Sequence, residues 1–169
     1  MALPMDITFI SGQTFKIKGR TGITLTDPIG PTIESLNGEK KTFTGPGEYE
    51  VSGISIIGIS TDDGTLFIYE VDGLRICHVG NLKKKLPENK LSFIGDIDIL
   101  LTSIGPETIE IIQQIESYYV IPFDYESQEQ LDKFLKDSGL TVEKMSKFSL
   151  KKEEIIEESS AQVIVLEKN

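Results

Sequence analysis

Residues 43–82 read FTGPGEYEVSGISIIGISTDDGTLFIYEVDGLRICHVGNL, and this stretch decides the fold of the chain. Short β-rich runs are separated in it by Asp62-Asp63-Gly64 and Asp72-Gly73, because Asp and Gly tolerate the positive φ that tight hairpin turns require. The pattern therefore predicts successive β-strands joined by hairpins. It ends at Cys77-His78-Val79-Gly80-Asn81-Leu82, a loop that contains the chain's only histidine. Because such loops often carry a protein's chemistry, any functional interpretation must explain this one.

The flanking sequence predicts more strands before this stretch and strand–helix alternation after it. Residues 5–10, 14–18 and 22–26 show apolar side chains with period two, as in a half-buried β-meander that ends at Asp27-Pro28. Residues 32–36 are predicted as one helical turn or a loop. The segments after residue 82 are predicted as helices at 87–94, 107–118 and from the cap Ser127 to Gly139, and as strands at 96–101, 119–122, 142–150 and 161–166.

Composition limits the class of protein and of partner. The chain has 169 residues, of which 38% are hydrophobic, so we expect one domain over residues 1–169 with a substantial core. A net charge of −10 disfavours binding to nucleic acid or to an anionic membrane. No apolar run approaches the roughly 20 residues that span a bilayer. The single cysteine excludes an internal disulfide and, with no signal peptide recognisable, predicts a cytoplasmic protein.

Five motifs in order resemble one known family. They are DITFISGQTFKIKG with ITLTDP, GPGEYEVSGISIIGI, IYEVDGLRICHVGNL, IGDIDILLTSIGPETIE and YYVIPFDY. The chain resembles the metallo-β-lactamase-fold hydrolases, specifically their small Zn-dependent branch, over nearly its whole length. The resemblance implies an α/β (α+β) fold, a metallo-β-lactamase-like αββα sandwich of two mixed sheets flanked by helices.

The resemblance also implies zinc chemistry, but the zinc ligands are missing. In that family paired zinc ions convert a bridging water to hydroxide, which requires histidines and aspartates about 2.0 to 2.3 Å from the metals. The H-x-H-x-D-H signature should follow a DP motif, yet only 16 residues, none of them histidine, separate Asp27-Pro28 from Gly45. The bridging aspartate of H-x-G-D is Asn81 here, and the last histidine ligand is Asp124. No zinc cofactor is therefore expected.

The remaining candidate residues each carry two interpretations. His78, which aligns beside a ligand position rather than on one, is either a remnant ligand or base, or a half-buried histidine hydrogen-bonded at a strand end. Cys77 is expected in the core. The acidic runs near Glu107 and Glu153 are solvated surfaces or a docking surface for a basic partner.

The leading hypothesis is a non-catalytic pseudo-hydrolase that acts as a binding or assembly module, with a second copy or an active homologue as conceivable partner. The alternative is a hydrolase with a rebuilt site, in which Asp27, Asp124 and neighbouring carboxylates hold a hard cation such as Mg²⁺, Ca²⁺ or Mn²⁺ near Asn81. The residues of the expected remnant cleft are Asp27, Glu48, His78, Asn81 and Asp124.

Overall fold

Two packed β-sheets form the body of the molecule. A computed structural model describes residues 3–27 and 30–168. Pro28, at which the β-meander was predicted to end, lies outside the described residues. The six-stranded sheet has the order β13-β1-β2-β3-β4-β5. All its pairs are antiparallel. Its strands are β1 (Met5–Ser11), β2 (Thr14–Lys18), β3 (Gly22–Leu25), β4 (Thr32–Ser35), β5 (Lys40–Thr42) and β13 (Phe148–Leu150).

The second sheet has eight strands, in the order β12-β14-β11-β10-β9-β8-β7-β6. Strands β6 to β9 form antiparallel hairpins, as the turn residues predicted, and β9, β10, β11, β14 and β12 run parallel in that order. Its strands are β6 (Gly47–Val51), β7 (Ile54–Thr61), β8 (Gly64–Val71), β9 (Leu74–His78), β10 (Ile99–Ser103), β11 (Tyr119–Phe123), β12 (Thr141–Met145) and β14 (Gln162–Leu166).

Three helices join the described strands of the parallel part. They are α1 (Glu88–Ile94), α2 (Thr108–Gln114) and α3 (Gln128–Ser138), and a 3₁₀ turn spans Lys152–Glu154. The predicted cap of α3 is present, because Ser127 Oγ accepts a hydrogen bond from the Gln130 N–H and Gly139 ends the helix in the left-handed conformation. The helices α2 and α3 pack on the face of the sheet that carries Val120 and Val163.

The main core lies between the two sheets. Phe15, Ile17 and Ile33 of the six-stranded sheet and Ile56 and Tyr69 of the other are at most 1% exposed. Alternate residues of the antiparallel strands point into this core, which is why the period-two pattern predicted them well. The predicted α/β sandwich of two sheets with helices is confirmed.

Two predicted elements were wrong. Residues 32–36 contain strand β4 rather than a helical turn or loop, because Ile33 is buried in the core beside Thr24 of β3. The predicted strand 142–150 is two strands in different sheets, β12 beside β14 and β13 beside β1. Strand β12 contains only two apolar residues, Val142 and Met145, so its sequence does not reveal the break at residues 146–147 where the chain changes sheets.

Candidate functional site

The candidate site lies where the carboxyl ends of the parallel strands meet the six-stranded sheet. Leu101 pairs with His78 and Phe123 pairs with Ser103, so β9, β10 and β11 end along one edge. In open α/β sheets this edge is where ligands usually bind. His78 is the last residue of β9, so the loop predicted to carry chemistry follows it directly and lies in the expected place.

Both ring nitrogens of His78 are used inside the protein. Nε2 lies 2.9 Å from the backbone carbonyl oxygen of Gln13, and Nδ1 accepts a hydrogen bond of 3.0 Å from the Gly80 N–H. This pairing selects the neutral tautomer with its proton on Nε2. Burial lowers the pKa of His78 from 6.5 to about 4. The imidazole thus has no free lone pair for a metal, and it is fully buried rather than half-buried.

Aromatic rings fill the space around His78. The imidazole stacks on Phe123 with ring centroids 4.6 Å apart, and Phe15 meets both rings edge-on at 6.2 and 6.0 Å. Phe15 belongs to one sheet and Phe123 to the other, so this aromatic cluster (Phe15, His78 and Phe123) joins the two sheets where the predicted cleft would open. Offset and edge-to-face ring pairs of this kind stabilise a core beyond their buried area.

Beside the aromatic cluster remains a small cavity of about 60 Å³. It brings together three of the predicted residues, Asp27, His78 and Asn81, with Gln13 and Tyr69. Gln13 Nε2 donates to Asn81 Oδ1 at 2.7 Å, while Gln13 Oε1 is buried without a partner among the described residues. The pKa of Tyr69 is raised well above its usual range, first by burial and then by the charges of Cys77 and Asp27.

The other two predicted residues lie apart from this cavity. Asp124 has a left-handed backbone (φ 52°) just after β11 and lines a different cavity of about 230 Å³ with Phe9 and Gly12. Glu48 is exposed on β6 and is not among the residues that line either cavity. The carboxylates of Asp27, Glu48 and Asp124 therefore do not share one cavity.

Cys77 is fully buried with a free thiol, as expected for a core residue. Burial raises the pKa of this thiol to about 12, so it remains protonated and unreactive at neutral pH.

The residues present do not fit a zinc pair. Within residues 3–27 and 30–168, no three His, Cys, Asp or Glu side chains are grouped as metal ligands would be. A dinuclear zinc site needs several imidazole or carboxylate ligands, and the only imidazole already has both nitrogens hydrogen-bonded. The 16 residues that follow Pro28 contain the β4–β5 hairpin instead of a ligand segment.

Sequence reasoning missed Gln13, Tyr69, Phe15 and Phe123 as parts of this site. Gln13 lies in the turn between β1 and β2. Nothing in its local sequence shows that its carbonyl meets a histidine 65 positions away. Phe15 belongs to a period-two pattern, whereas Tyr69 lies in a β-rich run and Phe123 follows a predicted buried strand. These signals predict burial but not which buried group each ring contacts.

The opposite end of the parallel strands has a different construction. A groove of about 670 Å³ lies there, beside the segments that precede β10, β11 and β14. In its wall the buried Asp98 carboxylate binds Lys152 Nζ at 3.0 and 3.1 Å and accepts the Arg75 backbone N–H at 2.8 Å. Lys152 comes from the charged segment 151–160, so this ion pair holds one end of that segment against the fold.

Comparison with known families supports what the fold suggests. Residues 31–124 match the family described as the beta-lactamase superfamily domain, which is more than half of the 169 residues. The chain belongs to the beta-lactamase superfamily. Among the described residues of this superfamily member, no helix is long and apolar enough to cross a membrane.

Solved structures show the same fold at low sequence identity. A protein from Thermotoga maritima, assigned as a Zn-dependent hydrolase of the metallo-beta-lactamase superfamily, is 24% identical, with a TM-score of 0.79 over 98% of this chain and 100% of its own. CmlA, a diiron β-hydroxylase from Streptomyces venezuelae, is 9% identical, with a TM-score of 0.59 over 89% of this chain and 55% of its own. A search of curated proteins found no significant match.

Proposed function

We propose that this chain is a non-catalytic member of the superfamily, a pseudo-hydrolase that works as a binding or assembly module in the cytoplasm. We further propose that residues 1–169 act as one domain. One observation carries the proposal: the only imidazole of the chain donates to Gln13, accepts from Gly80 and stacks on Phe123. A histidine arranged in this way stabilises the contact between the sheets instead of presenting a ligand.

The energetic cost of recovering a metal ligand supports this proposal. Turning His78 toward a cation would break two hydrogen bonds and separate it from the Phe123 ring. It would also leave the Gln13 carbonyl with one hydrogen bond fewer, although the Thr26 hydroxyl also donates to it at 2.9 Å. Buried polar groups that lose their partners cost about 1–3 kcal/mol each, so the packed arrangement is favoured.

A hydrolase with a hard cation is the second candidate, because one observation favours it. Gln13 Oε1 is a buried oxygen without a partner among the described residues, and Asp27 lines the same cavity. Oxygen ligands suit Mg²⁺, Ca²⁺ or Mn²⁺. Against this candidate, the cavity measures only about 60 Å³ and Asp124 lies outside it.

Metal analysis of the full chain separates the two candidates. Protein purified without chelators should contain no stoichiometric metal by elemental mass spectrometry. A metal that binds only the folded state would raise the melting temperature, and its removal would lower it. Without a metal site, the melting temperature should therefore not change with EDTA, Zn²⁺, Mn²⁺ or Mg²⁺. Stoichiometric metal that disappears in Asp27→Ala or Asp124→Ala, together with esterase or phosphodiesterase activity, would establish the second candidate instead. Lys133→Met, an exposed helical change, serves as the control variant.

A further inference from the structure

Both sheets end in an open edge on the same side of the sandwich. Strand β5 is the last strand of one sheet and β6 is the last strand of the other, and only residues 43–46 connect them. Phe43 stacks on Tyr49 with ring centroids 4.6 Å apart, which holds the two edges close together. We call these two strands the open edge pair. Each presents a row of backbone groups that no described strand satisfies.

The two strands of the open edge pair carry opposite charges. Lys40 and Lys41 of β5 are exposed, as are Glu48 and Glu50 of β6. Lys40 lies opposite Glu34, whose neighbour Ile33 points into the core, so Lys40 is on the outer face of its sheet. Glu48 and Glu50 flank Tyr49, which packs against the core, so both glutamates are on the outer face of the other sheet.

These charges distinguish two ways in which a second copy could pair along this side. A two-fold axis perpendicular to the sheets would place β5 against the partner's β5, with lysines facing lysines, and β6 against β6, with glutamates facing glutamates. A two-fold axis along the strands would instead place each β5 beside the partner's β6. The outer faces then become continuous, so that Lys40 lies on the same face as the partner's glutamates. Opposite charges across neighbouring strands stabilise a sheet and like charges destabilise it.

We propose that two copies of this chain associate through the open edge pair, with each β5 beside the partner's β6. Such an interface is isologous, because the same surface of each copy supplies both a basic and an acidic strand. Each sheet would continue into the other sheet of the partner, and the half-buried Phe43–Tyr49 pair would lie near the axis as its aromatic centre. If the chain is an assembly module, this contact is the surface through which it assembles. Only the biological role of the contact rests on the proposed function.

The other side of the sandwich lacks this separation of charge. Strands β12 and β13 are the terminal strands there: Glu143 and Lys144 place both signs on β12, and β13 carries no charged residue. Lysines on a short edge strand can also serve to prevent association. That role and the proposed contact predict opposite oligomeric states, so one measurement decides between them.

Sedimentation velocity of charge-reversal variants tests the proposal. At micromolar concentration and low ionic strength the native chain should sediment as a dimer. K40E/K41E and E48K/E50K should each be monomeric, since each places like charges at both contacts. An equimolar mixture of the two, and a variant with all four reversals, should regain the dimer peak. K83E/K84E, which reverses two exposed lysines elsewhere, should remain dimeric, and thermal melting verifies that each variant is folded.

A native chain that stays monomeric would overturn the contact, and so would a dimer that both double reversals leave intact. A dimer that is lost in the doubles but not restored by all four reversals would exclude the crossed arrangement. These failures are distinct from failure of the proposed function, which is measured by bound metal and hydrolysis. A dimer that binds metal would refute only the non-catalytic function. A monomer without metal would refute only the proposed contact between β5 and β6.

Discussion

The two ends of the parallel strands differ in how their space is used. At the carboxyl end the aromatic cluster borders two cavities of about 60 and 230 Å³, whereas the groove at the amino end measures about 670 Å³. The first end is closed by three rings and neutral hydrogen bonds, and the second is bordered by the Asp98–Lys152 ion pair. The comparison teaches that the edge at which ligands usually bind in open α/β sheets is the one that side chains fill in this protein.

The largest effect should come from removing a ring of the aromatic cluster. Phe123→Ala deletes a side chain that is 1% exposed and stacked on His78, so the free energy of unfolding should fall by about 3–5 kcal/mol in denaturant titration. Phe93→Ala is the matched control, because Phe93 is 70% exposed on α1 and its loss should cost little. Equal losses in the two variants would show that the rings do not close this end.

The next effect is the pH dependence that His78 contributes. The folded chain holds the pKa of His78 at about 4 and the unfolded chain has 6.5, so the unfolded state binds more protons between these values. The His78 contribution is therefore fully present above pH 6.5 and falls by about 1.4 kcal/mol per pH unit as the pH drops toward 4, roughly 3 kcal/mol in all.

Two measurements isolate this contribution. His78→Gln should have a shallower fall in the free energy of unfolding over the same pH range. Because the chain has one histidine, its imidazole proton resonance is unambiguous in NMR and should not titrate until the pH approaches 4. A midpoint near 6.5 would mean that the ring is open to water and that the carboxyl end is not closed.

A smaller loss is expected at the amino end. Lys152→Met leaves the Asp98 carboxylate, whose side chain is 7% exposed, with only the Arg75 N–H, so stability should fall by about 1–3 kcal/mol. The comparison is Lys133→Met, which breaks an exposed helical pair with Asp137 and should cost about 0.3–0.5 kcal/mol. If both lysine variants lose the same small amount, the ion pair does not hold the 151–160 segment.

The smallest effect should follow from Asn81→Ala. This change removes the hydrogen bond from Gln13 Nε2, which lies at an exposed position, so we expect a loss of about 0.5 kcal/mol in thermal or chemical unfolding. The Phe123→Ala variant provides the scale for comparison. A loss above about 2 kcal/mol would contradict the view that packing of the rings, rather than the polar remnants, closes the carboxyl end.

Much of the fold could be predicted because its signals are local. The hairpins at Asp62-Asp63 and Asp72-Gly73 formed as their turn residues indicated, and the α3 cap followed from Ser127 and Gly139. Strand β4 was missed because its only aliphatic residue, Ile33, is flanked in sequence by polar residues and so shows no period-two pattern. For the candidate site, the sequence placed Asp27, His78 and Asn81 near one another but also included Glu48 and Asp124, which lie elsewhere.

By itself the sequence determined the alternation of strands and turns, the superfamily resemblance and the scarcity of histidine, since these depend on residue identity and spacing along the chain. Only the tertiary structure decided that the Gln13 backbone carbonyl accepts a hydrogen bond from His78, that Phe15 and Phe123 enclose the His78 ring, and that β5 and β6 are the terminal strands of the two sheets. The physical reason is that hydrogen bonding and ring packing are short-range. They depend on which distant segments meet, and no local pattern records that.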